Sequence, residues 1–137
     1  MQMDKTKTSN DFTSDALARE IVKILIEKQG GDVRLYDVKE SASITDYYVN
    51  VTGRSLTHVG ALAEELVDLL SERGRDAARV EGKRGNSWIL IDYLDVIVNV
   101  FNEESRNFYN FERLLPEDGL VDITELIAEV DKKFDTN

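Results

Sequence analysis

Cysteine is absent from the 137-residue chain, which excludes disulfide frameworks, thiol nucleophiles and thiolate metal sites together. Histidine is nearly absent too, and His58 is the only imidazole available as a base or ligand. Ser55 and Thr57 stand just before it, but no third group that would orient the ring is legible, so a structural or solvent role is the expectation. Positive charge is scarce: 17 Lys and Arg against 27 Asp and Glu leave a net charge of −10, which argues against a broad phosphate-binding surface. It favours a basic partner or simple solubility. Nowhere do about 18 apolar residues run uninterrupted, so no membrane span is expected. The stretch Met1 to Phe12 is polar and lacks the apolar region of a secretion signal, so the expectation is a cytosolic protein. Repeats and low-complexity segments are also missing.

What is present is a foldable chain with 42 % hydrophobic residues and length for one core. Ala16, Leu17, Ile21, Ile24 and Leu25 recur at helical spacing, with Thr13, Ser14 or Asp15 as N-cap and Gly30-Gly31 as stop. Val33 to Val38 reads as a strand, Ser41 to Ser43 as a turn, and Thr45 to Thr52 as a second strand closed by Gly53. Ser55 to Arg73 places Val59, Leu62, Ala63, Leu66, Leu69 and Leu70 on one face of a helix, with Gly74 just past its end. Ala77 to Glu81, Ser87 to Tyr93 and Asp95 to Phe101 read as strands, the first two joined by a turn at 82–86. Glu103 to Leu115 has Phe108, Phe111 and Leu115 at helical spacing before Pro116, and Asp122 to Phe134 is a terminal helix. The order αββαβββαα mixes hairpins with one long crossover, which predicts an α/β fold with a mixed five-stranded sheet and helices on its faces.

Several groups invite chemistry and have plainer explanations. Gly82-Lys83-Arg84-Gly85 has the composition of a phosphate loop but neither its spacing nor the following helix, so a hairpin turn fits better. Asp92 and Asp95 flank Tyr93-Leu94, a spacing at which carboxylates more often satisfy backbone N–H groups than hold a divalent ion. Glu64, Glu65, Asp68 and Glu72 read as a solvated helix face. Asn50-Val51-Thr52 matches a glycosylation pattern, but within an apolar run it reads as chance. The only tryptophan, Trp88, shares a strand face with Leu90 and Asp92, and this mixture suits either a covered core face or a docking surface.

Taken in order, a series of segments resembles the ribosomal silencing factor family, also called Iojap-like. They are Asp37-Val38, Ser43-Ile44-Thr45-Asp46-Tyr47-Tyr48-Val49, Thr52-Gly53 with Ser55, His58-Val59, Glu81-Gly82, Trp88 to Asp92, Asp95 to Val98, Arg106, Phe108-Tyr109 and Glu112-Arg113-Leu114. The resemblance implies one α/β domain, nucleotidyltransferase-like in fold, without catalysis, cofactor or metal. It implies binding to the large ribosomal subunit through the large-subunit ribosomal protein numbered fourteen, with small-subunit joining blocked and translation lowered when nutrients fall. It implies a partner surface of Trp88, Asp92 and Tyr93, with Asp95, Phe101, Glu103 and Tyr109. No extensive contact with nucleic acid and no membrane association are expected.

The chain departs from the family pattern at Leu94-Asp95, where Gly-Asp is common, and at Val98-Asn99, where Val-His is frequent. A glycine lost at that turn is expected to alter it. The expected division is a flexible polar leader over 1–12, the silencing-factor domain over 13–115 and an acidic helical extension over 116–137. From Glu112 onward there are eight Asp and Glu against three Lys and Arg, half of the net charge. The apolar stripe of the extension is expected to pack on its own domain or on a second copy, giving a homodimer. Two other readings stand beside the first: a metal-dependent enzyme of nucleotidyltransferase type, and a homo-oligomeric adaptor.

Overall fold

Thr13 is the N-cap of helix α1, Ser14–Glu27, its hydroxyl accepting the Ala16 N–H at 3.1 Å. The computed structural model describes residues 13–41, 44–82 and 84–135. The leader at 1–12, Ser43 of the turn and motif, and Lys83 of the second turn lie outside the described residues. Helix α1 buries Leu17, Ala18, Ile21, Val22, Ile24 and Leu25, the stripe that its periodicity predicts. Its stop differs from expectation, because Gln29 rather than a glycine takes positive φ, +68°. Gly30 is needed for another reason: a Cβ there would lie 2.5 Å from Val51 Cγ2.

Strand β1, Gly31–Asp37, pairs antiparallel with β2, Tyr47–Gly53. Helix α2, Leu56–Glu72, then crosses over, capped by the Ser55 hydroxyl on the His58 N–H at 3.0 Å. Gly74 beyond its end takes the positive φ that its place predicts. Three strands follow, β3 (Arg79–Glu81), β4 (Trp88–Asp92) and β5 (Val96–Asn102), and then the short helix α3, Glu103–Tyr109. Two 3₁₀ turns at Phe111–Leu114 and Glu117–Gly119 lead to β6, Leu120–Val121, and to the terminal helix α4, Thr124–Asp135.

The sheet order is β3-β4-β5-β2-β1-β6, and the single parallel pair, β2 with β5, is the one that α2 connects. The mixed α/β sheet is therefore as expected, but it has six strands instead of five. Strand β6 is only two residues long, too short for an alternation to reveal, and it is defined by pairing Val121 with Leu35 and Leu120 with Tyr36.

One further expectation is corrected. The helix expected over Glu103–Leu115 ends at Tyr109, because Asn110 turns into the left-handed region at φ +47°, where asparagine is tolerated. The break turns Phe111 back onto the sheet. The segment after Pro116 contributes β6, and α4 packs on α1 with Leu126 and Val130 buried, the first of the two placements expected for it. Packing on the same chain thus covers Leu126 and Val130 of its apolar stripe, while Ile127 is 40 % exposed and the Phe134 side chain lies outside the described residues.

The main core lies between the sheet and the layer of α1 and α2. Val49 and Val51 of β2, Ile89 and Ile91 of β4, and Val96, Val98 and Val100 of β5 point into it. Strand β5 is buried on both faces, as a central strand should be. On the other face of the sheet the covering element is the short segment of α3 and its following turn.

Candidate functional site

Alternation sends the remaining side chains of the central strands to that thinly covered face: Trp88, Leu90 and Asp92 from β4, Ile97, Asn99 and Phe101 from β5, and Tyr48, Asn50 and Thr52 from β2. Trp88 is half-buried at its centre, with ring centroids 5.0 Å from Phe101, 5.0 Å from Tyr109 and 6.0 Å from Phe111. Tyr48 meets Phe111 edge-on at 5.2 Å, and Phe108 meets Tyr109 edge-on at 4.9 Å. These spacings suit favourable aromatic pairs. The outer end of the cluster is open, since Phe108 is 77 % and Tyr109 is 52 % exposed, with Leu114 also exposed.

Polar groups run beneath the aromatic rings. Trp88 Nε1–H donates to Asn99 Oδ1 at 2.9 Å, Asn99 Nδ2 donates to Asn50 Oδ1 at 3.0 Å, and Asn50 Nδ2 donates to Glu112 Oε2 at 3.2 Å. Asn50 and Asn99 stand directly opposite each other in the parallel pair. Arg106, itself buried, grips Glu112 through Nε at 3.1 Å and Nη2 at 2.5 Å, while its Nη1 donates to the Asp32 carbonyl and to Thr52 Oγ1, both at 2.8 Å. Asp32 can present that carbonyl because β1 is irregular between Gly31 and Arg34, with Asp32 at φ +43°. Hydrogen bonds to Asp32 first, and the nearby Asp32 and Glu112 charges, hold the Arg34 guanidinium yet more firmly protonated. Burial, aided by the Asp92 charge, pushes the Tyr48 phenol up.

The two carboxylates that sequence reading considered for metal are already engaged. Asp92 is buried, accepting the Leu94 N–H at 2.7 Å and Arg79 Nη2 at 3.3 Å, and Asp95 accepts Arg75 Nη2 at 2.8 Å. His58 is likewise structural: Nδ1 accepts the Arg54 N–H at 2.9 Å, which leaves Nε2 to donate to the Lys28 carbonyl at 3.2 Å. The ring ties the start of α2 to the end of α1. Among the described residues no group of three or more His, Asp or Glu is arranged to hold a metal ion, and no helix is long and apolar enough to cross a membrane.

The sequence model of the family described as "Ribosomal silencing factor during starvation" matches residues 11–137. The chain belongs to the ribosomal silencing factor family. A ribosomal silencing factor of Zymomonas mobilis is 31 % identical over 108 residues, spanning 79 % of this chain and 81 % of that protein. One from Bacillus subtilis is 32 % identical over 97 residues, 71 % of this chain and 82 % of that one. A solved crystal structure of a Bacillus halodurans protein superposes with a TM-score of 0.68 at 32 % identity, covering 80 % of this chain and 99 % of the other.

In this silencing-factor chain the residues expected at a partner surface divide into three groups. Trp88, Tyr109 and the exposed Glu103 share the aromatic end of the open face. Asp92 and Asp95 lie at the far end of β4 and in the loop that follows, held by arginines. Tyr93 and Phe101 need correction as surface residues. Tyr93 is 1 % exposed and points into the helix-covered core, because alternation opposes it to Asp92, and Phe101 lies fully buried beneath Trp88. The expectation that all seven share one surface fails, for Tyr93 on strand parity and for Phe101 because Trp88 covers it. Sequence reading missed Asn50, Asn99, Glu112 and Arg106 as one connected group. The available signal was an amide in the middle of each of two otherwise apolar strands.

Proposed function

We propose that the chain binds the large ribosomal subunit through the open sheet face and sterically blocks joining of the small subunit, lowering translation under nutrient limitation. The observation that carries this reading is the aromatic cluster of Trp88, Tyr109 and Phe108, left open on a scaffold of this family beside Glu103 and Glu104. Aromatic anchors with an acidic rim suit a basic protein partner, here the large-subunit ribosomal protein numbered fourteen. The net charge of −10 attracts such a partner while opposing close contact with exposed rRNA phosphate. Asp92 and Asp95 lie at the far rim, Phe101 floors the open face beneath Trp88, and Tyr93 supports the strands from behind. The action is occupation of a face, so it requires neither turnover nor cofactor, and the site of action is the cytoplasm.

Co-sedimentation with purified large subunits tests the reading. Wild-type protein should pellet with them, and Tyr109→Ala and Phe108→Ala, whose side chains are largely exposed, should fold normally and bind less. Trp88→Ala should weaken binding by about 30-fold or more, the usual cost of truncating an interface anchor. Binding unchanged in all three would move the interface to another face.

A further inference from the structure

Asn50 and Asn99 are 0 % and 1 % exposed in strands that are otherwise apolar, where an amide is costly unless its hydrogen bonds are met. Both are met, and by a chain whose two ends allow one direction only. The Trp88 indole N–H can only donate, and Glu112, both of whose oxygens accept from Arg106 nitrogens, stands as the acceptor at the other end. A donor-only group at one end turns Asn99 so that its oxygen faces Trp88. Its nitrogen must then face Asn50, whose own nitrogen is left to face Glu112. Both amide orientations are thereby fixed, and the indole, packed against Phe101, Tyr109 and Phe111, is set in its rotation by its single polar atom.

We propose that Asn99 is a positioning residue for the docking face, holding the Trp88 indole in its binding orientation through a one-directional hydrogen-bond chain that Arg106 and Glu112 anchor. This rests on the reading of the open face as the site of large-subunit binding. The energetic logic is preorganisation: a rigid anchor loses less freedom on association than a mobile one. The chain also makes one unit of two parts of the face. Glu112 belongs to the turn that carries Phe111 against Trp88, so the same carboxylate secures the turn and, through two amides, the indole.

A single tryptophan makes the test direct, because the protein gives one indole N–H resonance. Asn99→Leu should move that resonance upfield and speed its exchange with solvent while the rest of the amide spectrum stays dispersed. Large-subunit binding should weaken about tenfold, the scale of one lost hydrogen bond. In a Trp88→Phe background, which has no indole N–H, Asn99→Leu should change binding by less than about twofold, a coupling that general loosening of the fold would not produce. Glu112→Gln, which can either donate or accept, should shift the indole resonance although residue 112 makes no hydrogen bond to Trp88. An unmoved resonance in Asn99→Leu, or equal losses of binding in both backgrounds, overturns the proposal. Wild-type protein that fails to pellet with large subunits refutes the docking reading instead, and the resonance still reports whether Asn99 holds the ring. Should Asn99→Leu not fold, exchange of the wild-type indole proton decides: protection supports the bond, and exchange at the free-indole rate overturns it.

Discussion

Leu94 sits where a leucine should not. In the loop between β4 and β5 it has φ +78°, and the Asp95 N–H donates across it to the Tyr93 carbonyl at 3.0 Å. An i to i+2 bond around a residue of positive φ marks a tight γ-turn, a strained geometry for any residue with a Cβ. The Tyr93 N–H bonded to the Val96 carbonyl at 2.9 Å and the Asp92 carboxylate on the Leu94 N–H at 2.7 Å hold the turn in place. The leucine side chain is 68 % exposed, so burial returns little of the cost. Backbone strain of this kind costs about 1–3 kcal/mol, and glycine adds about 0.4–1 kcal/mol of unfolded-chain entropy relative to alanine. Leu94→Gly and Leu94→Ala both remove the exposed side chain and differ in the Cβ alone. The glycine variant should therefore be the more stable by about 1 kcal/mol, the reverse of the usual order in a strand. Calorimetry should show this as a melting temperature about 3–5 °C above that of the alanine variant. An alanine variant equal to or more stable than the glycine variant would refute the strain.

Three other outcomes follow from particular contacts. The Tyr93 phenol is pushed up to about 12 by burial, from an ordinary 10.0. The unfolded chain releases that proton first, so stability present below about pH 10 should fall by about 2–3 kcal/mol as pH rises to 12, a decline that Tyr93→Phe removes in urea titrations. Arg106→Met takes from the partly buried Glu112 carboxylate its two closest donors, leaving Asn50 and the more distant Arg34, and should cost about 3 kcal/mol by denaturant unfolding. Arg106→Met with Glu112→Leu should recover only part of it, because Asn50 then loses its acceptor. A cost equal to that of an exposed arginine would mean that the pair does not hold the turn. Truncation after Leu115 removes β6 and α4, including the buried Leu126 and Val130, and should cost about 3–6 kcal/mol in lost burial. It should also leave β1 as an open sheet edge, visible as a lower melting temperature and as self-association by light scattering. A truncated chain as stable and monodisperse as the parent would make the terminal segment an independent appendage.

Much of the fold was legible because helical and strand periods are local properties. The stripe of α1 and the alternation of Trp88, Leu90 and Asp92 against Ile89, Ile91 and Tyr93 appear as read, and of the three cap candidates before α1 it is Thr13 that serves. The same alternation that was read correctly already separated Tyr93 from Asp92, and the partner surface implied by resemblance overrode it. Where tertiary contacts decide, the sequence was silent. Phe108, Phe111 and Leu115 have helical spacing, yet Phe108 faces solvent and Phe111 meets Tyr48, because Asn110 breaks the helix to reach the sheet. Residues 50, 88, 99, 106 and 112 share no local pattern, and only the register of β2 on β5 and the turn after α3 bring them together. Leu94 shows the opposite case: its departure from a common glycine drew attention to the turn, and the positive φ there shows why a glycine suits it.

The central claim concerns what the open face does to ribosome assembly. Light scattering of purified large and small subunits, mixed at a magnesium concentration that favours joining, measures it directly. Saturating wild-type protein should suppress the rise in scattering, and Trp88→Ala should restore it at equal concentration. Subunits that join at the normal rate and to the normal extent with wild-type protein at saturation would contradict the account.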